Sequence, residues 1–307
     1  MDEAQKLFDE DTSLACGLQD LGIGRGTVVY TATDLTRLPL PKPGRETLKA
    51  VRGEARRNLW LEWVYLSIRA AIGKEGTLVV PTFSYDYARS NTPFVYEESP
   101  GEVCNFSEYV RKKPGAVRSM HPLFSLTAVG PRAEEICGDV GHAAYGERSA
   151  FSRLRGVGTT FVFLGAPLGE ALTYVHHMEQ LYGVNHYFNK AFDAPAYKGG
   201  ALVPGPWYAF VRYLGCGIEI HIKRFEAELK EKGFLRVLET AKGEIQAVDC
   251  EDVHREGLDA LARNPWYFIE NPVYIRFKQD NLRIKDAAVP SHLVGFIQED
   301  MSRYVSK

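Results

Sequence analysis

The chain has 307 residues, 45% of them hydrophobic and 25% charged, so it is long enough to bury one large core or two smaller ones. Its 37 basic and 39 acidic residues give a formal net charge of −2, which argues against a surface built to hold a nucleic-acid backbone or an anionic membrane. The five cysteines are odd in number and form no C-x-x-C pair, so neither a disulfide framework nor a zinc knuckle is indicated.

The amino-terminal segment MDEAQKLFDEDTSL is acidic where a secretory signal would be basic and then apolar. No apolar run approaches the roughly 18 residues that are needed to span a bilayer. We therefore expect a soluble, cytoplasmic protein that has neither membrane nor nucleic-acid partners.

The first half of the chain alternates between predicted helices and strands. Residues 2–20 predict a short helix, and the strand GTVVYTAT (26–33) precedes a long helix whose apolar residues recur at steps of three and four. These apolar residues are Val51, Ala55, Leu59, Trp63, Leu66 and Ala70. Gly73 and Gly76 are expected to end this helix before the strand TLVVPTF.

The alternation continues through a strand FSLTAVG (124–130), a helical stretch from Pro131 to Cys137 and a strand TTFVFLGAP (159–167). Strands that alternate with helices favour parallel pairing, with helices on both faces of the sheet. The pattern therefore predicts an α/β fold built on a mixed, largely parallel sheet that is covered by helices.

Beyond residue 193 the pattern changes to an α+β lobe packed against the sheet. It contains an amphipathic helix and then FLRVLETAKGEIQAVD, which predicts a hairpin around Lys242-Gly243. The apolar face of that helix is expected to hold Ile218, Ile222, Phe225 and Leu229. We predict one domain over 1–270, with an N-lobe of about 1–192 and a C-lobe of about 193–270. Residues 271–307 are predicted to be an extension with a terminal helix from Ser291.

The segment GEALTYVHHMEQLYGVNHYF (169–188) carries the strongest chemical signal. On a helix, His176 and Glu179 share one face with Thr173, whereas His177 points about 100° away. A carboxylate that holds an imidazole is the arrangement needed to take a proton from a nucleophile. Exposed His/Glu pairs are nevertheless common on helices, so the pair alone does not distinguish a catalytic site from a helix surface.

A metal-dependent hydrolase built on His176, His177 and His186 is the first alternative. Zinc on a helix is bound by residues four apart, and neighbouring histidines on a helix do not converge on one ion. The chain can bring His186 towards His177 through a turn at Gly183, but no third ligand is evident. The spacing disfavours a metal site, and we expect no metal.

Several spaced segments, taken together, resemble the antibiotic N-acetyltransferase family, which includes the aminoglycoside 3-N-acetyltransferases. They are GTLVVPTFSYDY (76–87), GAVRSMHPLFSLTAVG (115–130), YGERSAFSRL (145–154) and FVFLGAPLGEALTYVHHMEQ (161–180). The family patterns R-S-x-H-P-x-x-S and T-x-x-H-x-x-E are both present. The text YVHHMEQ is similar to a branch associated with surface-polysaccharide and amino-sugar pathways.

The resemblance implies an enzyme that moves an acetyl group from acetyl-CoA, its co-substrate, to a primary amine. It implies that His176 is the general base and that Glu179 orients it. The residues expected to bind the co-substrate are Thr33, Asp34, Arg118, Ser119, His121, Ser125 and Thr173. Among these, Thr33, Ser119 and Thr173 are candidates to donate hydrogen bonds to the thioester oxygen. Arg118 and His121 either contact the CoA phosphates or pantetheine arm, or form a structural turn with a buried ion pair.

Two departures from the family pattern bear on the acceptor. Ala32 stands where relatives commonly have histidine, and Tyr187 stands where they have arginine. These changes motivate a second alternative, a non-catalytic protein that binds CoA or a sugar on the same scaffold. A near-neutral chain is also a poor match for a polycationic aminoglycoside. We expect an amino sugar, such as a sugar nucleotide or polysaccharide precursor, as acceptor, and a homodimer as the assembly.

Overall fold

A seven-stranded mixed sheet organises this structure, a computed structural model that describes residues 3–44, 49, 51–213 and 218–270. The predicted extension over 271–307, with its helix from Ser291, lies outside these residues. No helix within the described ranges is both long enough and apolar enough to cross a membrane.

The strands are β1 (Val28–Thr33), β2 (Thr77–Pro81), β3 (Phe94–Val95), β4 (Val117–Arg118), β5 (Leu126–Val129), β6 (Thr159–Leu164), β7 (Tyr187–Phe192), β8 (Ala196–Lys198), β9 (Ala201–Val203), β10 (Trp207–Arg212), β11 (Arg236–Glu239) and β12 (Glu244–Asp249). The helices are α1 (Glu3–Glu10), α2 (Ser13–Asp20), α3 (Gly53–Ile72), α4 (Asp86–Arg89), α5 (Asn105–Arg111), α6 (Ala133–Cys137), α7 (Ala150–Gly156), α8 (Leu168–Ala171), α9 (Val175–Tyr182), α10 (Lys223–Glu231) and α11 (Cys250–Arg263). A short 3₁₀ turn spans Leu35–Arg37.

The central sheet has the order β11-β12-β6-β1-β2-β5-β4. Strand β1 pairs in parallel with β2 on one side and with β6 on the other, whereas the pairs β2-β5, β5-β4, β6-β12 and β12-β11 are antiparallel. The α/β fold and the mixed sheet are therefore confirmed. The parallel part is the central trio β2-β1-β6, because antiparallel strand pairs extend both edges.

The predicted hairpin is present as β11 and β12, but it does not belong to a separate lobe. Its turn is closed by a hydrogen bond from Thr240 N to Gly243 O of 2.8 Å. Strand β12 then pairs with β6, with Ile245 opposite Leu164, so the carboxy-terminal part of the described chain completes the central sheet. The central sheet therefore crosses the predicted lobe boundary at residue 192/193, and the division into lobes stays a prediction. Two small sheets, β10-β7 and β3-β8-β9, lie beside it.

Helices cover both faces of the sheet, and the strands show why. Alternate residues of a strand point to opposite faces. On β1 and β6, Val29 and Val162 pack with the core under α1, α2, α3 and α5, while Tyr30 and Phe161 pack with the core under α6, α7, α9 and α11. The residues on both faces of these strands are buried, so the sequences of the central strands are continuous apolar runs.

The amino-terminal helices differ from their prediction in two respects. The single helix expected over 2–20 is two helices, because Asp11 Oδ1 accepts hydrogen bonds from Ser13 N and Oγ and starts a new helix there. In α3 the predicted Ala55 and Ala70 are exposed. The predicted Leu59 and Trp63 are buried, and so are Leu61, Val64, Ser67, Ile68, Ala71 and Ile72, which form a broad arc set by contacts with α1, α2 and α5.

Gly165 ends β6 where the chain passes close to the end of β1. Its φ is +70°, and an added Cβ would lie 2.5 Å from Asp34 O. We expect Gly165→Ala to lower the free energy of unfolding by roughly 1–2 kcal/mol for the left-handed backbone and by a further ~1–3 kcal/mol for the clash. Urea unfolding followed by circular dichroism measures this loss.

Gly158 is the matched control, since its φ is +65° and an added Cβ would meet no atom of the described residues within 4 Å. Gly158→Ala should show the backbone cost alone. Equal losses in the two variants would contradict the close approach between Gly165 and Asp34.

Candidate active site

The site lies at the carboxyl ends of β1 and β6. These neighbouring strands are parallel, with Thr33 opposite Leu164, so the segments that follow them leave the sheet side by side. Because β2 and β6 pair with opposite sides of β1, this edge is a topological switch point, where α/β sheets commonly bind ligands. The chain after β6 forms α8 and α9, which carry the predicted catalytic residues.

His176 and Glu179 form the predicted pair on α9. His176 Nδ1 lies 3.1 Å from Glu179 Oε2, and the exposed fractions of the two side chains are 19% and 1%. A carboxylate accepts hydrogen bonds, so the proton of a neutral His176 lies on Nδ1 and its Nε2 is left with a free lone pair. That nitrogen is able to take a proton from a ligand.

Glu179 has a second partner that the sequence analysis missed. His186 Nε2 lies 3.3 Å from Glu179 Oε1, and the His186 side chain is fully buried. Gly183, with φ +80°, ends α9 in a left-handed turn and returns the chain so that His186 faces Glu179. The hydrolase alternative needed His186 to join His177 through this turn, and the hydrogen-bond partner of His186 is instead the Glu179 carboxylate.

The three histidines of the hydrolase alternative do not face one point. His177 Nδ1 lies 2.6 Å from Tyr145 O, whereas His176 and His186 both bond to Glu179. His177 is a buried packing residue, consistent with its 100° offset from His176 on the helix. Within the described residues, no group of three or more His, Cys, Asp or Glu side chains is arranged to hold a metal ion.

The electrostatic setting keeps Glu179 ionised. Burial raises the pKa of Glu179, but the hydrogen bonds from His176 and His186 outweigh burial and leave this pKa below its ordinary value. Tyr145 and Tyr187 flank His176, with ring centroids 5.5 Å from the imidazole in each case. Burial raises the pKa of both phenols, so they stay neutral beside the carboxylate.

His176 opens onto a cavity of about 380 Å³, which is lined by residues 169–173, His176 and residues 220–223. Thr173 lies on this wall three residues before His176, in the turn between α8 and α9, and not on one continuous helix with it. Residues 220–223 come from the start of α10 and were not among the predicted site residues. The cavity therefore joins the loop after β6 to a segment about 45 residues further along the chain.

Charged side chains alternate along the mouth of the cavity. Glu170 Oε2 lies 3.1 Å from Arg37 Nη1, and Glu170 Oε1 lies 3.7 Å from Lys223 Nζ. Arg37 Nε is also 3.5 Å from Asp34 Oδ2. A hydrogen bond from Thr36 holds the pKa of Asp34 below its ordinary value. Asp34 is thus connected to the cavity wall through Arg37 and Glu170.

The remaining predicted co-substrate residues are not on the cavity wall. Thr33 Oγ1 lies 3.6 Å from Cys104 Sγ. The other four, Arg118, Ser119, His121 and Ser125, are buried. Ser119 Oγ accepts a hydrogen bond from Leu126 N at 2.9 Å, which pins the turn between β4 and β5.

Arg118 and His121 make their polar contacts inside the protein. Arg118 donates to Ser125 Oγ at 2.9 Å and to Thr82 O at 2.7 Å. His121 Nδ1 accepts from Phe124 N at 2.9 Å, and its Nε2 lies 3.0 Å from Tyr208 O. The segment is a structural turn in this structure, and the partners of Arg118 are carbonyl and hydroxyl oxygens in place of the expected buried ion pair.

The chain is similar to known proteins in sequence and in fold. The protein-family model described as aminoglycoside 3-N-acetyltransferase matches residues 46–262. The chain belongs to this family. It is 31% identical over 207 residues to aminoglycoside N(3)-acetyltransferase VII of Streptomyces paromomycinus, a match that covers 59% of this chain and 65% of that protein. Aminoglycoside N(3)-acetyltransferase VIII of Streptomyces fradiae is 29% identical over 207 residues, which is 61% of this chain and 66% of that protein.

Solved structures show the same fold. The crystal structure of aminoglycoside acetyltransferase AAC(3)-Xa superposes with a TM-score of 0.67 at 21% identity, covering 81% of this chain and 90% of that one. A binary complex of AAC-IIIb with CoASH gives a TM-score of 0.64 at 23% identity, covering 82% and 96%. At these identities the likeness establishes the fold.

The buried His121 makes stability depend on pH. Burial lowers the pKa of His121 to about 4, although the hydrogen bond with the Tyr208 carbonyl opposes this shift, whereas an unfolded histidine titrates near ~6.5. Between these values the unfolded chain binds a proton that the folded chain does not, so stability falls as the pH is lowered. His121→Gln should therefore lose about 2 kcal/mol less than wild type between pH 7 and pH 5.

Urea unfolding at several pH values checks this difference. His177 has the same direction of shift, so the wild-type pH dependence should also shrink in His177→Gln. An identical pH slope in wild type and His121→Gln would contradict a neutral, buried His121.

Proposed function

We propose that the protein is an acetyl-CoA-dependent N-acetyltransferase that acts on a primary amine. The observation that carries this proposal is His176, whose Nδ1 is held by the buried Glu179 carboxylate and which lines the cavity. The names of the two relatives, both N(3)-acetyltransferases, support the same reaction. The CoASH complex of AAC-IIIb supports acetyl-CoA as the co-substrate.

His176 Nε2 accepts the proton that the amine loses as its nitrogen attacks the thioester carbonyl of acetyl-CoA. Glu179 stabilises the imidazolium that forms and keeps the ring in one orientation. Thr173 lines the cavity, and we propose that its hydroxyl donates a hydrogen bond to the developing oxyanion. When the tetrahedral intermediate collapses, His176 returns the proton to the departing sulfur, so the products are the amide and CoASH.

The other predicted co-substrate residues are Asp34 near the mouth of the cavity, Thr33 at the end of β1, and four residues of a buried turn. Arg37 and Lys223 supply positive charge at the mouth, and we propose that Asp34 acts there by holding Arg37. Contact between Thr33 and the co-substrate stays a prediction, because the Thr33 hydroxyl faces Cys104 in this structure. We propose that the buried turn defined by Arg118, Ser119, His121 and Ser125 supports the sheet beneath the site and does not touch CoA.

For the acceptor we propose an amino sugar that carries a phosphate, as in a sugar nucleotide or a polysaccharide precursor. Among the described residues that line the cavity, Glu170 is the one carboxylate, and it already contacts Arg37 and Lys223. A polycationic ligand needs several unpaired carboxylates for complementary binding. Lys223 is 67% exposed, and its ammonium group has three N–H donors, so it can bind a phosphate while it stays 3.7 Å from Glu170.

An aminoglycoside is the second candidate acceptor. The relatives are named for it, and two structures of the same fold are described as complexes of AAC(3)-IVa with a gentamicin and of AAC-VIa with sisomicin. The two candidates differ in charge, so their binding responds in opposite ways to the same substitution at the mouth of the cavity.

Replacing His176 should abolish most of the activity. We expect His176→Ala to lower kcat by roughly 10²–10⁴-fold, the usual contribution of a general base, in an assay that detects CoA release as free thiol. The matched control is His221→Ala, which removes another histidine of the cavity wall. The described residues offer His221 no carboxylate partner, so this variant should keep kcat within about tenfold of wild type.

Binding of acetyl-CoA by calorimetry separates the alternatives. His176→Ala should still bind it, because His176 acts on the amine. Wild-type protein that binds acetyl-CoA but acetylates no amine would favour the non-catalytic binding protein, and activity that survives His176→Ala would contradict the proposed base.

Reversing the charge of residue 223 should shift the preference of the enzyme from a phosphorylated amino sugar towards an aminoglycoside. Lys223→Glu is expected to raise KM for a phosphorylated amino sugar by about tenfold, because a favourable charge contact of ~1.4 kcal/mol or more is lost, and to lower KM for an aminoglycoside. Steady-state kinetics at low and high salt measure both effects. If wild type uses aminoglycosides with higher kcat/KM than phosphorylated amino sugars, the proposed acceptor is wrong.

A further inference from the structure

A second histidine shares the catalytic carboxylate. Glu179 is 1% exposed, and its two oxygens face different imidazoles: Oε2 faces His176 at 3.1 Å and Oε1 faces His186 at 3.3 Å. His176 opens onto the cavity, whereas His186 is fully enclosed and does not line it. The route from His186 to His176 and the cavity therefore passes through Glu179.

We propose that His186 is a positioning residue for the acetyl transfer, which holds Glu179 so that its other oxygen fixes the tautomer and orientation of His176. The catalytic part of this inference rests on the proposed N-acetyltransferase function. The positioning itself is a property of the three side chains and is measurable without a substrate.

The surroundings of His186 determine which of its nitrogens carries the proton. His186 Nδ1 is buried and has no hydrogen-bond partner within the described part of the chain. A buried N–H without an acceptor is unfavourable, so the proton of a neutral His186 belongs on Nε2, where the Glu179 carboxylate accepts it. The ring is held in this orientation by stacking on Trp266, with a centroid distance of 5.0 Å and an interplanar angle of 25°.

The contact matters because Glu179 is buried. A buried carboxylate with one unpaired oxygen shifts towards its protonated form, and protonated Glu179 would no longer hold His176 by accepting its Nδ1 proton. His176 and His186 are the groups that lower the pKa of Glu179, while the neighbouring phenols of Tyr145 and Tyr187 are neutral. Removing the His186 donor therefore changes the charge and the direction of the group that orients the base.

Two substitutions separate this role from packing. His186→Phe keeps the ring stacked on Trp266 but removes the donor, and His186→Gln restores an amide N–H near the position of Nε2. We expect kcat to fall by about 10- to 100-fold in His186→Phe with little change in KM, and to recover in part in His186→Gln. Trp266→Phe is the packing control, because it alters the stack and leaves the Glu179 contact intact.

Long-range ¹H–¹⁵N spectra of histidine-labelled protein supply the readout that does not depend on activity. Wild type should show His176 as the Nδ1–H tautomer and His186 as the Nε2–H tautomer. His186→Phe should lose the single tautomer of His176, and His186→Gln and Trp266→Phe should retain it. An unchanged His176 tautomer in folded His186→Phe would overturn the proposal.

The wild-type spectrum tests the proposal even where His186→Phe fails to fold, since an Nδ1–H tautomer at His186 would contradict the contact with Glu179. The outcomes also separate this inference from the proposed function. Wild type that acetylates no amine but shows the expected tautomers would refute the transferase and support the positioning. Full transferase activity in His186→Phe, together with an unchanged His176 tautomer, would support the transferase and refute the positioning role of His186.

Discussion

The site depends on one buried carboxylate that is shared by two histidines. Burial alone would favour a neutral Glu179, and the hydrogen bonds from His176 and His186 keep it charged. The fold brings these groups together by local means, since α9 places His176 and Glu179 on one face and Gly183 turns the chain back. The cavity, the aromatic walls and the sheet edge beneath them are arranged around this contact.

Features that depend on local sequence were predicted well. The strands β1, β2 and β6, the helix α3 and the β11-β12 turn follow from apolar periodicity and turn residues, and the pairing of His176 with Glu179 follows from helix geometry. Features that depend on distant parts of the chain were not readable. The pairing of β12 with β6, and the place of residues 220–223 in the cavity wall, arise from packing between segments that no periodicity connects.

The R-S-x-H-P-x-x-S segment shows a different limit. The motif identifies Arg118 and His121 in the sequence but does not say which groups surround them in the fold. In the structure, both side chains make their hydrogen bonds to other groups of the protein. A charged or titratable side chain in a motif is equally compatible with ligand contact and with internal support. His186 was missed because it belongs to no motif. Its partner Glu179 lies seven residues earlier in the chain, and only the left-handed turn at Gly183 makes the two residues neighbours.

The pairing of β12 with β6 also constrains the order in which the protein can be assembled on the ribosome. Strand β6 leads directly into the segment that carries His176 and Glu179, yet one of its two neighbours, β12, follows much later in the chain. Until residue 249 has emerged, TTFVFL has β1 on one side only and is an apolar edge strand, the kind of segment that associates with other chains. During that interval the free side of β6 is exposed to other chains, and pairing with β12 removes this open edge from the finished sheet.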